Sequence, residues 1–198
     1  MIQLSILIPS IPSRIQVLGR LYGKLQQQIG DSKEIEILSF IDNKIWTVGY
    51  KRQKLLELAN GKYLTFIDDD DDIEMDYIDE IRKGINDKNN VDVICFKESS
   101  CINGGNRFIV DYDLGHENEE AKQIDGIWQD INRQPFHKCV WKSSIAKSEK
   151  FPNISYGEDW AWASKLCEKA KTFYKIDKVL YLYDYNDKTT ETGNMEKK

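Results

Sequence analysis

The sequence is poor in the features that mark exported, membrane-spanning or metal-stapled chains. Four of its 198 residues are cysteine, Cys95, Cys101, Cys139 and Cys167. None stand at C-x-x-C spacing, which argues against a disulfide framework or a zinc site and for a reduced protein with a few buried thiols. No run approaches the roughly 18 apolar residues of a transmembrane helix. The start, Met1-Ile2-Gln3-Leu4, lacks the basic segment, apolar stretch and cleavage site of a signal peptide, so the expected location is cytoplasmic. Basic residues are in deficit, 28 Lys and Arg against 33 Asp and Glu, for a net charge of -5. That leaves no general electrostatic footprint for nucleic acid, and no nucleic-acid partner is expected. Neither a repeat nor a Pro- or Ser-rich linker is visible. What is present is an apolar fraction of 40% over 198 residues, enough for one compact domain.

The apolar pattern alternates between two periods. Leu4 to Ile8 is a buried-strand run ending at Pro9. Ile15, Leu18, Leu21, Tyr22 and Leu25 then share a helical face, with Ser13 and Gln16 placed as a capping box. Glu34 to Ile41 reads as a second strand. Leu55, Leu56, Leu58 and Ala59 mark a helix stopped by Asn60-Gly61. Tyr63 to Ile67 is a third strand, Tyr77, Ile78, Ile81 and Ile85 a third helix, and Val91 to Phe96 a fourth strand. This β-α-β-α-β-α-β order predicts a mostly parallel, Rossmann-like sheet flanked by helices. Residues 99 to 135 read as loops with short strands, Phe136 to Trp141 and Val179 to Tyr185 as strands, and Glu158 to Lys171 as a helix with Ala163, Leu166, Cys167 and Ala170 inward. In such sheets ligands bind at the carboxyl ends of the strands, here at Pro9-Ser10, Asp42 and Asp68.

The third strand runs into five consecutive aspartates, Asp68 to Asp72. Two unit charges about 4 Å apart repel by about 1 kcal/mol in water and roughly 4 kcal/mol at an effective dielectric of about 20. Such a cluster calls for solvent or for a cation. A solvated turn capping the next helix is one reading. An EF-hand is a poor fit, because the glycine and the final glutamate of its loop are missing. A carboxylate site for a hard ion such as Mg²⁺ or Mn²⁺, holding a phosphate, is the other reading.

Three stretches resemble the signatures of family 2 glycosyltransferases with the GT-A fold. Residues 51 to 71, from Lys51-Arg52-Gln53 through Ala59-Asn60-Gly61-Lys62-Tyr63 to Asp68-Asp69-Asp70-Asp71, are similar to the family's A/K-R-N-x-x-L/I-x-x-A-x-G-x-Y-x-x-F-x-D-x-D-D. Ser5 to Arg14 resembles the opening strand, and Phe151-Pro152 to Glu158-Asp159 the acceptor-side motif F-P-x-x-x-x-x-E-D. The motifs keep the family's order and near spacing. The departures are Gln53 for the usual Asn and a chain near the family's minimum length, without the Q-x-x-R-W motif of processive synthases.

The resemblance implies a metal-dependent, inverting transferase with Mn²⁺ or Mg²⁺ as cofactor, a nucleotide-sugar donor (UDP by family habit) and a glycan acceptor. It implies one GT-A domain over residues 1–198, with a donor half at 1–98, an acceptor half at 99–185 and a flexible tail at 186–198. Pro9, Ser10 and Arg14 fall where the family meets the nucleotide. Asp42 matches the base-binding carboxylate, and Arg52 the arginine near the base or phosphates. Asp68 and Asp69 match positions near the ribose and metal, and Asp70 the metal ligand. Asp159 matches the catalytic base, although its position also suits a helix cap. Glu158 beside it belongs to the acceptor side. His137 and Lys138 could reach the metal or diphosphate, or His137 could be a hydrogen-bonded structural residue. Trp128, Trp160 and Trp162 are candidates for stacking on an acceptor sugar, and Trp46 for bordering the base, with core packing the alternative for each. Two other readings stay open. One is a non-catalytic binding domain of this fold. The other is a sugar nucleotidyltransferase, whose Gly-rich turn after the first strand is missing from Pro9 to Arg14.

Overall fold

The computed structural model describes residues 1–87 and 90–187. The part of the predicted tail beyond residue 187 lies outside them. The elements are β1 (Leu4–Ser10), a 3-10 turn (Pro12–Arg14), α1 (Ile15–Ile29), β2 (Ile35–Ile41), α2 (Val48–Leu58), β3 (Tyr63–Phe66), β4 (Asp72–Ile73), α3 (Tyr77–Asp87) and β5 (Val93–Ile102). They continue with β6 (Phe108–Tyr112), β7 (Gln123–Ile124), β8 (Ile127–Trp128), β9 (Ile131–Arg133), β10 (Val140–Lys142), α4 (Ser143–Ala146), α5 (Glu158–Lys169) and β11 (Phe173–Tyr185).

The main sheet has the order β2-β1-β3-β10-β5-β11-β4, with β6 and β9 extending from β5. β1 pairs in parallel with β2 and β3, and β5 with β11, while short β10 runs antiparallel between β3 and β5. All seven residues of β1 are buried, as a central strand covered on both faces requires. One face carries α1 and α3 through Leu18, Leu21, Leu25, Ile78, Ile81 and Ile85. The other carries α2 and α5 through Leu55, Leu56, Trp162, Ala163 and Leu166. The predicted mixed α/β architecture is therefore present. No helix among the described residues is long and apolar enough to cross a membrane.

Several local expectations change. Ser13 lies inside the 3-10 turn, and Arg14 precedes α1 without a side-chain cap bond, so the Ser13–Gln16 capping box does not form. α2 begins well before its leucines, with Thr47 Oγ1 accepting from the Tyr50 N–H. Lys51 and Arg52 are buried on it, and buried charges leave no apolar periodicity to read. Residues 136–139 form a turn rather than a strand, closed by Cys139 N–H donating to the Phe136 carbonyl. β5 and β11 run longer than their apolar cores, because each supplies the other's ladder out to Ile102 and Tyr185.

α2 is drawn tightly onto the segment before α5. Gly49 N–H donates to the Ile154 carbonyl at 2.9 Å. A Cβ on Gly49 would collide with the Pro152 carbonyl, so this approach requires glycine. The contact brings Arg52 on α2 beside Glu158 at the start of α5.

Candidate active site

The carboxyl ends of β1 and β3, the start of α2, the first turn of α5 and the end of β11 enclose a cleft of about 830 Å³. Pro9, Ser10, Arg14, Arg52, Asp68, Asp69, Asp70, Glu158, Asp159 and Trp160 all line it. Residues more than 140 positions apart in sequence thus meet in one place.

The aspartate run is neutralised one side chain at a time. Asp69 is closed off: Ser10 Oγ donates to its Oδ2 at 2.6 Å, and Arg14 Nη1 lies 2.8 Å from its Oδ1. The other arm of Arg14 reaches Asp70 Oδ2 at 3.0 Å. Asp68 lies between Arg52 Nη2 at 2.7 Å and His137 Nε2 at 3.2 Å. Burial works against ionisation of Asp68, yet Arg52 and His137 hold its carboxyl well below the usual range. Asp71 is buried behind the turn, accepting from Tyr181 Oη at 2.6 Å with Lys138 Nζ at 3.9 Å. Burial pushes its carboxyl up, against the lowering pull of Lys138 and with the neighbouring Asp68 and Asp70 adding to the rise. Lys138 Nζ itself sits 2.7 Å from Glu98 and 4.4 Å from the ring centres of both Tyr181 and Tyr183. It therefore braces the turn from behind and does not face the cleft from the front.

Asp70 is the least satisfied of the cleft carboxylates. Its side chain is 31% exposed, and burial together with Asp68 pushes it up to about 6 despite Arg14. Mg²⁺ and Mn²⁺ favour oxygen ligands, and Mg²⁺ is commonly held by one or two carboxylates plus substrate phosphates. Asp70 suits that role, because a cation would relieve its excess charge. Among the described residues no group of three or more His, Cys, Asp or Glu forms a ready-made cage. The site fits an ion shared with a diphosphate and not one held by protein alone.

On the opposite wall, Gly157 at φ +76° starts α5 and turns Glu158 inward and Asp159 toward the cleft. Glu158 is buried against Arg52 Nε at 3.1 Å. Burial raises its carboxyl and Arg52 partly counters that. Asp159 is 25% exposed, with Trp160 N–H donating to its Oδ1 at 2.7 Å and His137 Nδ1 lying 3.4 Å from its Oδ2. Both His137 nitrogens therefore face carboxylates.

Other residues stand elsewhere than expected. Asp42 does not line the cleft. Its Oδ2 accepts the N–H groups of Ile45 and Trp46, and its Oδ1 pairs with buried Lys51 Nζ at 3.0 Å. Against the cost of burial, these contacts hold its carboxyl below the ordinary value. It shapes the turn that carries Trp46, which does line the cleft. Asp42→Ala should accordingly lower stability by about 1–3 kcal/mol, because Lys51 is left buried without its counter-charge. A thermal melt unchanged from wild type would show that the pair contributes nothing. Trp128 lies outside the cleft, stacked on Phe108 at 5.7 Å. Trp162 is core, stacked on Phe151 at 4.5 Å. Trp160, 47% exposed, is the one of the three that faces the cleft. Sequence reasoning missed Lys44, Lys51, Arg133, Tyr156 and Tyr183 to Tyr185, which also line it. Lys51 and Tyr156 carried a signal, each standing inside one of the motifs.

The mostly parallel curled sheet thus carries an aspartate turn at one strand end and a carboxylate helix start facing it. Among solved structures the fold matches that of the glycosyltransferase TarS from S. aureus. The TarS crystal structure superposes with a TM-score of 0.65 at 14% identity, covering 93% of this chain and 37% of that one. TarS 1-349 in complex with UDP gives 0.66 at 15% identity over 93% and 61% of the two chains. The complex with UDP-GlcNAc gives 0.65 at 14% identity over 98% and 61%. The chain thus spans about a third to three fifths of these neighbours. No protein-family model matches the sequence, and no curated protein matches it.

Proposed function

We propose that the chain is a metal-dependent, inverting glycosyltransferase that moves a sugar from a nucleotide diphosphate sugar, a UDP-sugar first among them, to a hydroxyl of a glycan acceptor. The observation that carries this reading is the placement of Asp159 across one cleft from Asp70 and Arg14. The neighbours solved with UDP and UDP-GlcNAc support the choice of donor. Residues 1–98 supply most of the donor side, and residues 99–185 supply the acceptor side.

In this reading Arg14 and Asp70 border the diphosphate, and Asp70 holds Mn²⁺ or Mg²⁺ jointly with it. Such an ion supplies Lewis-acid stabilisation of the charge left on the leaving diphosphate. Asp159 takes the proton of the acceptor hydroxyl as its oxygen attacks the anomeric carbon, a contribution typically of about 10²–10⁴-fold. Glu158, the nearest other carboxylate, is held by Arg52. With Asp70 given to the metal, Asp159 is the carboxylate of the α5 start left open to the cleft, which favours a single displacement with inversion.

Calorimetry with UDP, with and without Mn²⁺, tests the donor site. Asp70→Ala should raise the Kd for UDP in Mn²⁺ at least about tenfold, the loss of one charge-assisted contact, and leave the melting curve near wild type. Undiminished Mn²⁺-dependent binding in this variant would remove Asp70 from the metal site. Product analysis with UDP-GlcNAc separates the alternatives: release of UDP supports transfer, binding without turnover supports a binding domain, and consumption of added pyrophosphate with formation of UTP and GlcNAc-1-phosphate supports a nucleotidyltransferase.

A further inference from the structure

Two aromatic side chains flank the start of α5 in the open. Tyr156 is 72% exposed and Trp160 is 47% exposed, and both line the cleft. Ring surface left in water is costly, at about 25 cal/mol per Å² of apolar area. The helix has a core position for an indole, and Trp162 fills it against Phe151. Trp46, also on the cleft, rests one ring face on Tyr50 at 4.4 Å. Trp160 has no such stack: Phe136 meets it at 6.3 Å and a tilt of 48°. The loop that carries Tyr156 is anchored to the start of α2. Thr47 Oγ1 donates to Asn153 Oδ1 at 2.5 Å, Gly49 N–H to the Ile154 carbonyl at 2.9 Å and Val48 N–H to Ser155 Oγ at 3.4 Å. Tyr156 follows directly, so its ring is offered to the cleft from a backbone already fixed, and little ordering remains to be done on binding.

We infer that Tyr156 and Trp160 form the acceptor subsite and that it takes a pyranose ring, one C–H face against Trp160 and a ring hydroxyl at Asp159. The place of the hydroxyl rests on the proposed role of Asp159. That carboxylate stands between the two aromatics in the chain and is 25% exposed on the same cleft, so a molecule that reaches it lies along this rim. The rim selects by shape and polarity. An aromatic face is flat and apolar, while the indole N–H and the phenol O–H beside it are polar. A pyranose matches both, with axial C–H groups on one face and hydroxyls around its edge. An acyclic polyol has the hydroxyls but no flat face, and a serine side chain has neither the face nor the edge. An alkyl chain matches the rings alone. It would have to lie beside Arg52, Glu158 and Asp159, which line the cleft next to them, and would strip charged groups of water. Apolar and aromatic walls with a few placed polar groups are the usual make-up of a small-molecule subsite.

Saturation-transfer NMR on the whole chain tests this, with and without UDP and Mn²⁺. The probes are the methyl pyranosides of β-glucose, β-galactose and α-mannose, with sorbitol as the acyclic control and N-acetylserine amide as the peptide control. At least one pyranoside should receive saturation, strongest on the C–H protons of one ring face, and neither control should. Trp160→Ala should weaken that binding at least about tenfold and Tyr156→Ala at least about threefold, as truncation of an aromatic anchor does. Both side chains are exposed, so both variants should melt near wild type and keep UDP affinity within about threefold. Trp160→Phe, which restores a flat ring, should regain part of the loss. Saturation of no pyranoside, equal saturation of sorbitol, or binding undiminished in both alanine variants overturns the subsite. The two readings fail separately. A chain that binds UDP and no pyranoside loses the subsite alone. A chain that binds a pyranoside through Trp160 and binds no UDP keeps the subsite and loses the transferase reading.

Discussion

Asp159→Asn should slow UDP release from UDP-GlcNAc by at least about 10²-fold while the affinity for UDP stays within a few-fold. The substitution keeps the shape and the contact with the Trp160 N–H, which can still reach an amide oxygen at the position of Oδ1. What it removes is the proton-accepting charge. The donor-side groups, Arg14 and Asp70, are paired with each other on the wall opposite Asp159, so donor binding has no reason to follow. Loss of an interaction used only in the transition state lowers kcat without moving the ground state. Glu158→Gln is the contrasting variant. Its carboxylate is buried against Arg52, so its loss should appear in the melting curve before it appears in turnover. Near-normal release by Asp159→Asn would make that residue a helix-start carboxylate and nothing more, and the base would have to be sought elsewhere in the cleft.

The parts of this molecule that read clearly from sequence are those where one physical signal dominates. The buried run at Leu4–Ile8, the helical face of Leu18, Leu21 and Leu25, and the strand from Tyr63 each follow a single hydrophobic period, and each is present. The aspartate run stood out as charge where charge is costly, the Glu158-Asp159 pair through its resemblance to an acceptor-side motif, and the structure brings both to the same cleft. The unread parts are those where the sequence signal is mixed. The start of α2 is invisible because Lys51 and Arg52 face inward, where a periodicity search expects apolar residues. The turn at Phe136–Cys139 resembled a strand because its flanks are apolar, but its purpose is to place His137 and Lys138 under the aspartates. The tip of β11 enters the cleft only because of its pairing with β5, and no local pattern encodes a pairing between positions 80 residues apart. Tryptophans were ambiguous for a related reason. Burial and sugar stacking favour the same side chain, and only the fold separates Trp162 in the core from Trp160 on the cleft.

Arg52→Leu should cost about 3–5 kcal/mol of folding stability, the penalty for stranding buried charge. Arg52 is 3% exposed on its side chain and holds two carboxylates, Asp68 at 2.7 Å and Glu158 at 3.1 Å, from different walls of the cleft. Its guanidinium lies 5.3 Å from the centre of the Phe66 ring, so leucine fills part of the volume but answers neither charge. For a chain of this size about 1 kcal/mol moves the melting temperature by roughly 2–4 °C, so the variant should melt roughly 6–20 °C lower. Arg52→Lys should fall between, because an ammonium offers no planar fork to bridge both partners. The pH dependence carries a definite sign. Asp68 is held below its ordinary value in the folded chain, so its pairing stabilises the fold above the unfolded carboxylate pKa of about 4 and is lost as pH falls through that region. The gap between wild type and Arg52→Leu should therefore be widest near neutral pH and narrow under acid. Adding Glu158→Gln to Arg52→Leu should recover part of the loss, since it removes one of the stranded carboxylates. A melting temperature for Arg52→Leu within about 2 °C of wild type at pH 7 would mean that solvent already screens the cluster. The two walls of the cleft would then be joined by the contacts of α2 with residues 151–155, Gly49 with Ile154 and Thr47 with Asn153 among them.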